Sequence, residues 1–132
     1  MNTDKKVDVE SLYKYQDLTS DILNCAFEVH NSLGCGFLER VYEKTLIREL
    51  ELRGLKLTTQ KVIKIKYKDK DVGIYLADLI VENKVIVELK VVEFLSKIHK
   101  AQAINYLKAS GYRVALILNF SKPRLEYKRA IV

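Results

Sequence analysis

Apolar positions along this chain follow two different periods. Ile22, Ala26, Val29 and Leu33 recur at helical spacing behind Thr19 and Ser20, either of which can cap a helix. Gly34-Cys35-Gly36 breaks that pattern, and a second helix is expected from about Phe37 to Arg53. Its inward residues would be Leu38, Val41, Tyr42, Leu46 and Leu50, with Gly54 as the C-terminal stop. The period then drops to two: over residues 61–68, Ile63, Ile65 and Tyr67 point inward while Lys64, Lys66 and Lys68 point outward. Asp69-Lys70-Asp71 turns into a strand over 72–81, and Glu82-Asn83-Lys84 turns into another over 85–92. Residues 96–110 suit a helix capped by Ser96 and closed by Gly111. Residues 112–120 form a nearly continuous apolar run, as in the interior of a sheet, and Pro123 separates it from a last strand over 126–132. Residues 1–16 are polar and read as an N-terminal arm that Leu12, Tyr13 and Tyr15 could dock, leaving 17–132 as one domain.

Three charges interrupt this pattern. Asp78 lies in the apolar run from Val72 to Val81, and Glu88 and Lys90 lie in the run from Val85 to Val92. Strand side chains alternate faces, so Ile74, Leu76, Asp78 and Ile80 are expected on one face, and Ile86, Glu88, Lys90 and Val92 on another. An unpaired carboxylate on such a face costs several kcal/mol, roughly 3–5 when a buried pair is broken. A metal ion, a mutual ion pair or water in a cleft would each compensate.

Whether Asp78 and Glu88 meet is a question of parity. A two-residue loop at Asn83-Lys84 would set them on opposite faces. A three-residue loop or a bulge would set Asp78, Glu88 and Lys90 on one face, and this is the expected arrangement. The following helix should be a crossover that makes the next strand parallel to the third.

Charge is unevenly spread. Residues 56–70 carry six Lys against one Asp, residues 71–96 five acids against two Lys, and residues 97–132 eight Lys or Arg against one Glu. An acidic centre between basic segments suits a cation-binding cleft with phosphate-attracting surroundings; solvated lysine faces are the bland alternative. Apolar residues make up 48% and no run approaches the roughly 20 residues of a membrane span. No signal-peptide pattern opens the sequence, so a cytoplasmic protein with reduced Cys25 and Cys35 is expected. His30 and His99 have no neighbouring His or Cys, which argues against a zinc site.

Asp78, nine intervening residues and Glu88-x-Lys90 resemble the core motif of the PD-(D/E)XK nuclease superfamily. Gly36-Phe37-Leu38-Glu39-Arg40-Val41-Tyr42 is similar to the pattern that names its GxxExxY family, with Cys35 where proline is expected. The resemblance spans about Cys25 to Phe120. It implies a restriction-endonuclease-like three-layer α/β fold, with a mixed sheet of four or five strands flanked by helices. It also implies metal-dependent cleavage of DNA or RNA phosphodiesters. Asp78, Glu88 and the Leu89 carbonyl would hold Mg²⁺ or Mn²⁺, which keeps several waters when protein-bound. Lys90 would orient the attacking water, stabilise developing charge or act as base, and the sequence leaves these open.

Glu39 could reach the cleft as an extra metal or water ligand if its helix packs across the sheet; otherwise it is a first-turn glutamate favoured by the helix dipole. Tyr42 reads as a packing residue whose hydroxyl orients Glu39. The resemblance puts Gln102 at the cleft, where the alternative is a surface amide. Lys97, Lys100, Lys108, Arg124, Lys128 and Arg129 are candidate phosphate contacts. A chain of this size has little room for a recognition domain, so a homodimer or another partner would supply specificity. The competing class is a non-catalytic nucleic-acid-binding or protein-interaction module that keeps the fold.

Overall fold

The computed structural model describes residues 9–132, and side chains from Tyr15 onward. Among the described residues, three helices and five strands follow in the order α1 (Val9–Leu33), α2 (Glu39–Leu52), β1 (Leu57–Tyr67), β2 (Lys70–Val81), β3 (Val85–Lys90), α3 (Lys97–Ser110), β4 (Val114–Asn119) and β5 (Glu126–Ile131). The sheet order is β1-β2-β3-β4-β5. β3 and β4 are parallel, joined by α3, and the other neighbours are antiparallel.

The sheet separates two apolar layers. Ile22, Ala26 and Val29 of α1 and Tyr42, Leu46 and Leu50 of α2 pack on Leu79, Val87, Leu89, Leu116 and Leu118. On the other side, Ala103 and Leu107 of α3 pack on Ile80, Ile86, Ala115 and Ile117. Every residue of β4 is buried, as its unbroken apolar run requires at the middle of a doubly covered sheet. The cap of α3 is formed by His99 Nδ1, which accepts the Ser96 N–H at 2.9 Å, and Gly111 closes the helix at φ +83°.

Several expected details differ. α1 is already helical at Val9, the first described residue, so residues 9–16 of the expected arm are helical, while residues 1–8 lie outside the described residues. Thr19 therefore lies inside the helix, its hydroxyl bonded to the Gln16 carbonyl at 3.0 Å. Leu38 precedes α2 as its extended N-cap residue and is 80% exposed, and Val41 within α2 is 37% exposed, because Tyr42, Leu46 and Leu50 alone take the buried stripe. Tyr67 is 63% exposed near the tip of the β1–β2 hairpin.

The largest difference is a reversal of faces within that hairpin. Ile63 and Ala77 pack on the α3 side, as Ile80 does, whereas Leu57, Leu79 and Val81 pack on the α1/α2 side. Simple alternation would keep Ala77 and Leu79 together. The reversal falls between the pairs Thr59–Leu79 and Lys61–Ala77, where Gln60 has φ +49°. Ile74 and Leu76 consequently do not share the buried face of Ile80; both are exposed.

Candidate metal and catalytic centre

The β2–β3 loop sets the register of the site. Val81 pairs with Val85, leaving Glu82, Asn83 and Lys84 as a three-residue loop, with Glu82 and Asn83 at φ +52° and +53°. Lys84 N–H closes it on the Val81 carbonyl at 3.0 Å. Ile80 opposes Ile86 and Leu79 opposes Val87, and one further step sets Asp78 across from Glu88. The odd loop expected from parity is therefore present.

The β2–β3 ladder ends at Leu79–Val87, and Asp78 terminates it chemically. Its Oδ2 accepts the Leu89 N–H at 3.0 Å, taking a donor that a continuing ladder would have paired. On the other side of β3, the Lys90 carbonyl accepts from Phe120 N–H at 3.1 Å. A strand residue directs its N–H and C=O the same way, and successive residues direct them oppositely. The Leu89 carbonyl thus faces the gap that opens between β2 and β3.

Glu88 is 7% exposed, and its Oε1 is buried without a hydrogen-bond partner. Burial pushes its carboxyl up to about 7, with Lys90 and the Asp78 backbone pulling in the opposite direction and Glu39 and Glu43 adding to the rise. Asp78 is also raised by burial, against the Leu89 N–H, Lys90 and the Gln60 amide. Glu39 is raised by desolvation and by the charge of Asp78. Lys90 influences all three carboxyls, yet among the described residues it forms no direct salt bridge with any of them. The mutual ion pair considered from the sequence is not made.

Glu39 occupies the first turn of α2 and is exposed at the end of a groove that also contains Arg40, Glu43, Lys44 and Gln60. Gln102 lines a small cavity with Glu88, Lys90, His99 and Tyr106, so α3 brings it to the Glu88 side of the site. Lys97, Lys100 and Lys108 are exposed on α3 and Arg124 on the β4–β5 connection. Arg129 differs: its Nη2 donates to Thr19 Oγ1 at 2.9 Å, tying β5 to α1 instead of facing solvent.

Tyr42 is the packing residue expected, but its hydroxyl has other partners than Glu39. It is fully buried and stacked on Phe120 at 4.7 Å; its hydroxyl donates to the Gly34 carbonyl at 2.7 Å and accepts the Phe37 N–H at 3.2 Å. It fastens the Gly34–Phe37 turn ahead of Glu39 and makes no bond to Glu39. Gly36 has φ +111° and open space around a Cβ position, so its requirement is backbone conformation and not close approach.

Two supporting residues carry no clear mark in the sequence. Gln60 donates to Glu43 Oε1 at 3.1 Å, and its amide lowers the pKa of Asp78, linking α2 to the site. Asn119 bonds both polar groups of the Val92 backbone, at 3.1 and 2.9 Å, as well as the Glu126 carboxylate, which in turn accepts the Leu95 N–H at 2.8 Å. This network holds the connection that leads from Lys90 into α3. A lone polar residue ending the β4 apolar run was the available signal for Asn119; for Gln60 there was none.

The donors suit a hard divalent cation: two desolvated carboxyls, one with an unpartnered oxygen, beside a strand carbonyl. Among the described residues, no group of three or more His, Cys, Asp or Glu converges as a metal site, so Glu39 does not complete a three-carboxylate cluster. Two carboxylates and retained waters are enough for magnesium.

A family model described as the PD-(D/E)XK nuclease superfamily matches residues 16–130. Among solved structures, the crystal structure of SSO0001 is similar, with a TM-score of 0.54 and 19% identity over 70% of this chain. The match covers 48% of that protein, about half its length, and at this identity the likeness concerns the fold alone. The three-layer arrangement of three helices on a mixed five-stranded sheet is the restriction-endonuclease-like fold. No curated protein matches the sequence. No described helix is long and apolar enough to cross a membrane.

Proposed function

The chain belongs to the PD-(D/E)XK nuclease superfamily, and from that premise we propose that it hydrolyses nucleic-acid phosphodiesters at Asp78, Glu88 and Lys90. The observation that carries this reading is the Glu88 carboxyl, buried with an unpartnered oxygen beside Asp78 and not neutralised by direct contact with Lys90. A structural ion pair would have closed that gap.

Asp78, Glu88 and the Leu89 carbonyl would hold Mg²⁺ or Mn²⁺. When bound, the ion supplies positive charge to the phosphate and lowers the pKa of coordinated water. Asp78 is held in place by the Leu89 N–H, so its other oxygen is oriented before any substrate arrives. Lys90 shares the cavity of Glu88 and Gln102, where its ammonium offsets charge that builds on the phosphate oxygens as water adds to phosphorus and the ester bond breaks. Glu39 faces this chemistry from the α2 terminus as a water-orienting group. Gly36, Glu39 and Tyr42 support placing the chain with the GxxExxY family inside the superfamily.

The test is cleavage of labelled single- and double-stranded DNA and RNA by purified protein with Mg²⁺, Mn²⁺ or EDTA. Glu88→Ala and Lys90→Ala should each lower cleavage by about 10²-fold or more. Cleavage that persists in EDTA, or that both variants retain, would remove these residues from the chemistry. That no three-carboxylate cluster converges among the described residues favours one other reading, a nucleic-acid-binding module that does not cut. It predicts metal-independent, salt-sensitive binding and no product under any condition.

A further inference from the structure

Beyond the face reversal at Gln60, the β1–β2 hairpin leaves the body of the protein. No residue from Lys64 to Leu76 is buried. Its root is pinned by Tyr75, stacked on Tyr106 of α3 at 3.5 Å, so the arm has a defined direction from the cleft. Val62 pairs with Leu76 and Lys64 with Ile74, which places an aliphatic and lysine-bearing face in solvent. Lys66, Lys68 and Lys70 surround the turn, and among the described residues none of them forms a salt bridge; Lys64 reaches Asp71 at 3.7 Å.

We propose that this arm is a duplex-DNA-binding ribbon that lies along the substrate of the Asp78–Glu88–Lys90 centre, a proposal that rests on the nuclease reading of that centre. Asp78 and Lys70 are eight residues apart on β2, about 26 Å at ~3.3 Å per residue. That length matches about eight base-pair steps. A two-stranded ribbon fits the B-DNA major groove, whereas the A-form RNA major groove is too deep and narrow for side chains to read. Single strands are typically held on aromatic platforms, but Tyr67 is the one aromatic among the arm's exposed side chains, and Lys68 lies over its ring at 5.3 Å. Val62, Val72, Ile74 and Leu76 offer apolar contact of the kind that thymine methyl groups accept. A second copy of the chain fits less well, because it would bring these lysines against one another.

The experiment uses the full chain carrying Glu88→Gln, in EDTA, so that binding is read without cleavage. Fluorescence anisotropy compares a duplex DNA of about 24 base pairs, its single strand and the matching RNA duplex over about 50–200 mM salt. Duplex DNA should bind most tightly. Combining Lys66→Ala, Lys68→Ala and Lys70→Ala should weaken it by about tenfold or more and flatten the logarithmic salt slope by about 2–3. Circular dichroism of the variant should be unchanged, since the altered side chains are exposed. Unchanged affinity and slope would overturn the proposal, as would an equal loss on the single strand or the RNA duplex. Ile74→Ser with Leu76→Ser also tests it: if the pair converts a dimer to a monomer in sedimentation while DNA binding persists, the face belongs to a second copy. Cleavage by the unmodified chain separates the two ideas. Cutting without arm-dependent binding removes the arm alone, and arm-dependent binding without cutting removes only the nuclease reading.

Discussion

The two faces of β3 come from six consecutive residues yet obey opposite rules. Val85, Val87 and Leu89 point into the layer under α1 and α2, a cluster of aliphatic and aromatic side chains with Cys25. Ile86, Glu88 and Lys90 point toward α3, where the strand buries a carboxyl with an unpartnered oxygen. Large side chains on the first face each contribute about 1.5–3 kcal/mol by burial. On the second, burial of Glu88 opposes folding whenever that group is charged. The comparison teaches that both layers gain from apolar burial, whereas the α3 layer also carries the cost of a desolvated carboxyl.

The largest expected effect lies on the dry face. Leu116→Ala should cost about 2–5 kcal/mol in urea unfolding, because a fully buried side chain in the central strand leaves a cavity. Cleavage per folded molecule should not change. If stability held while activity fell, the division of labour between the faces would be wrong.

Glu88→Gln should do the reverse. Its carboxyl is raised from 4.5 to about 7 in the folded chain, so the folded state holds a proton that the unfolded state has already released. That contribution is full below about pH 4.5 and is lost as pH rises through about 7. Without metal, the neutral variant should therefore be more stable than wild type at about pH 8, by up to about 3 kcal/mol, and the advantage should vanish on acidification. Thermal melts across pH measure this; an advantage independent of pH would contradict it. Mn²⁺ at about 100 times its Kd should raise wild-type stability by about 2.7 kcal/mol and leave the variant nearly unmoved.

Tyr42→Phe should cost about 1–2 kcal/mol in the same melts, through two lost hydrogen bonds to the Gly34–Phe37 turn. It probes whether the α1/α2 layer also steadies Glu39. The smallest effect belongs to Gln60→Ala, within about 0.5 kcal/mol in stability because the side chain is exposed. Its amide lowers the pKa of Asp78, so its loss should raise that pKa and move the acid limb of the pH–rate profile upward. An unmoved limb would exclude Gln60 from positioning Asp78.

Much of this comparison was legible in the residues themselves. Helical spacing in Ile22, Ala26 and Val29, the Ser96 and Gly111 caps and the unbroken run of β4 specify elements, because period and capping are local properties of the chain. The three-residue loop followed from requiring Asp78 and Glu88 to share a face. Less legible were the helical conformation of residues 9–16, which look polar, and the exposure of Leu38 and Val41. An apolar side chain announces that it can be buried but not whether another layer will arrive to bury it.

Sequence by itself determined the order of elements, the parity of the β2–β3 loop and the placing of Asp78, Glu88 and Lys90 on facing strands. Tertiary structure alone decided that the hairpin reverses its faces at Gln60, that Tyr42 bonds a turn instead of Glu39, and that one Glu88 oxygen is left without a partner. The first set depends on periods and steric limits within a few residues. The second depends on which surfaces from distant parts of the chain meet, and no local pattern encodes that.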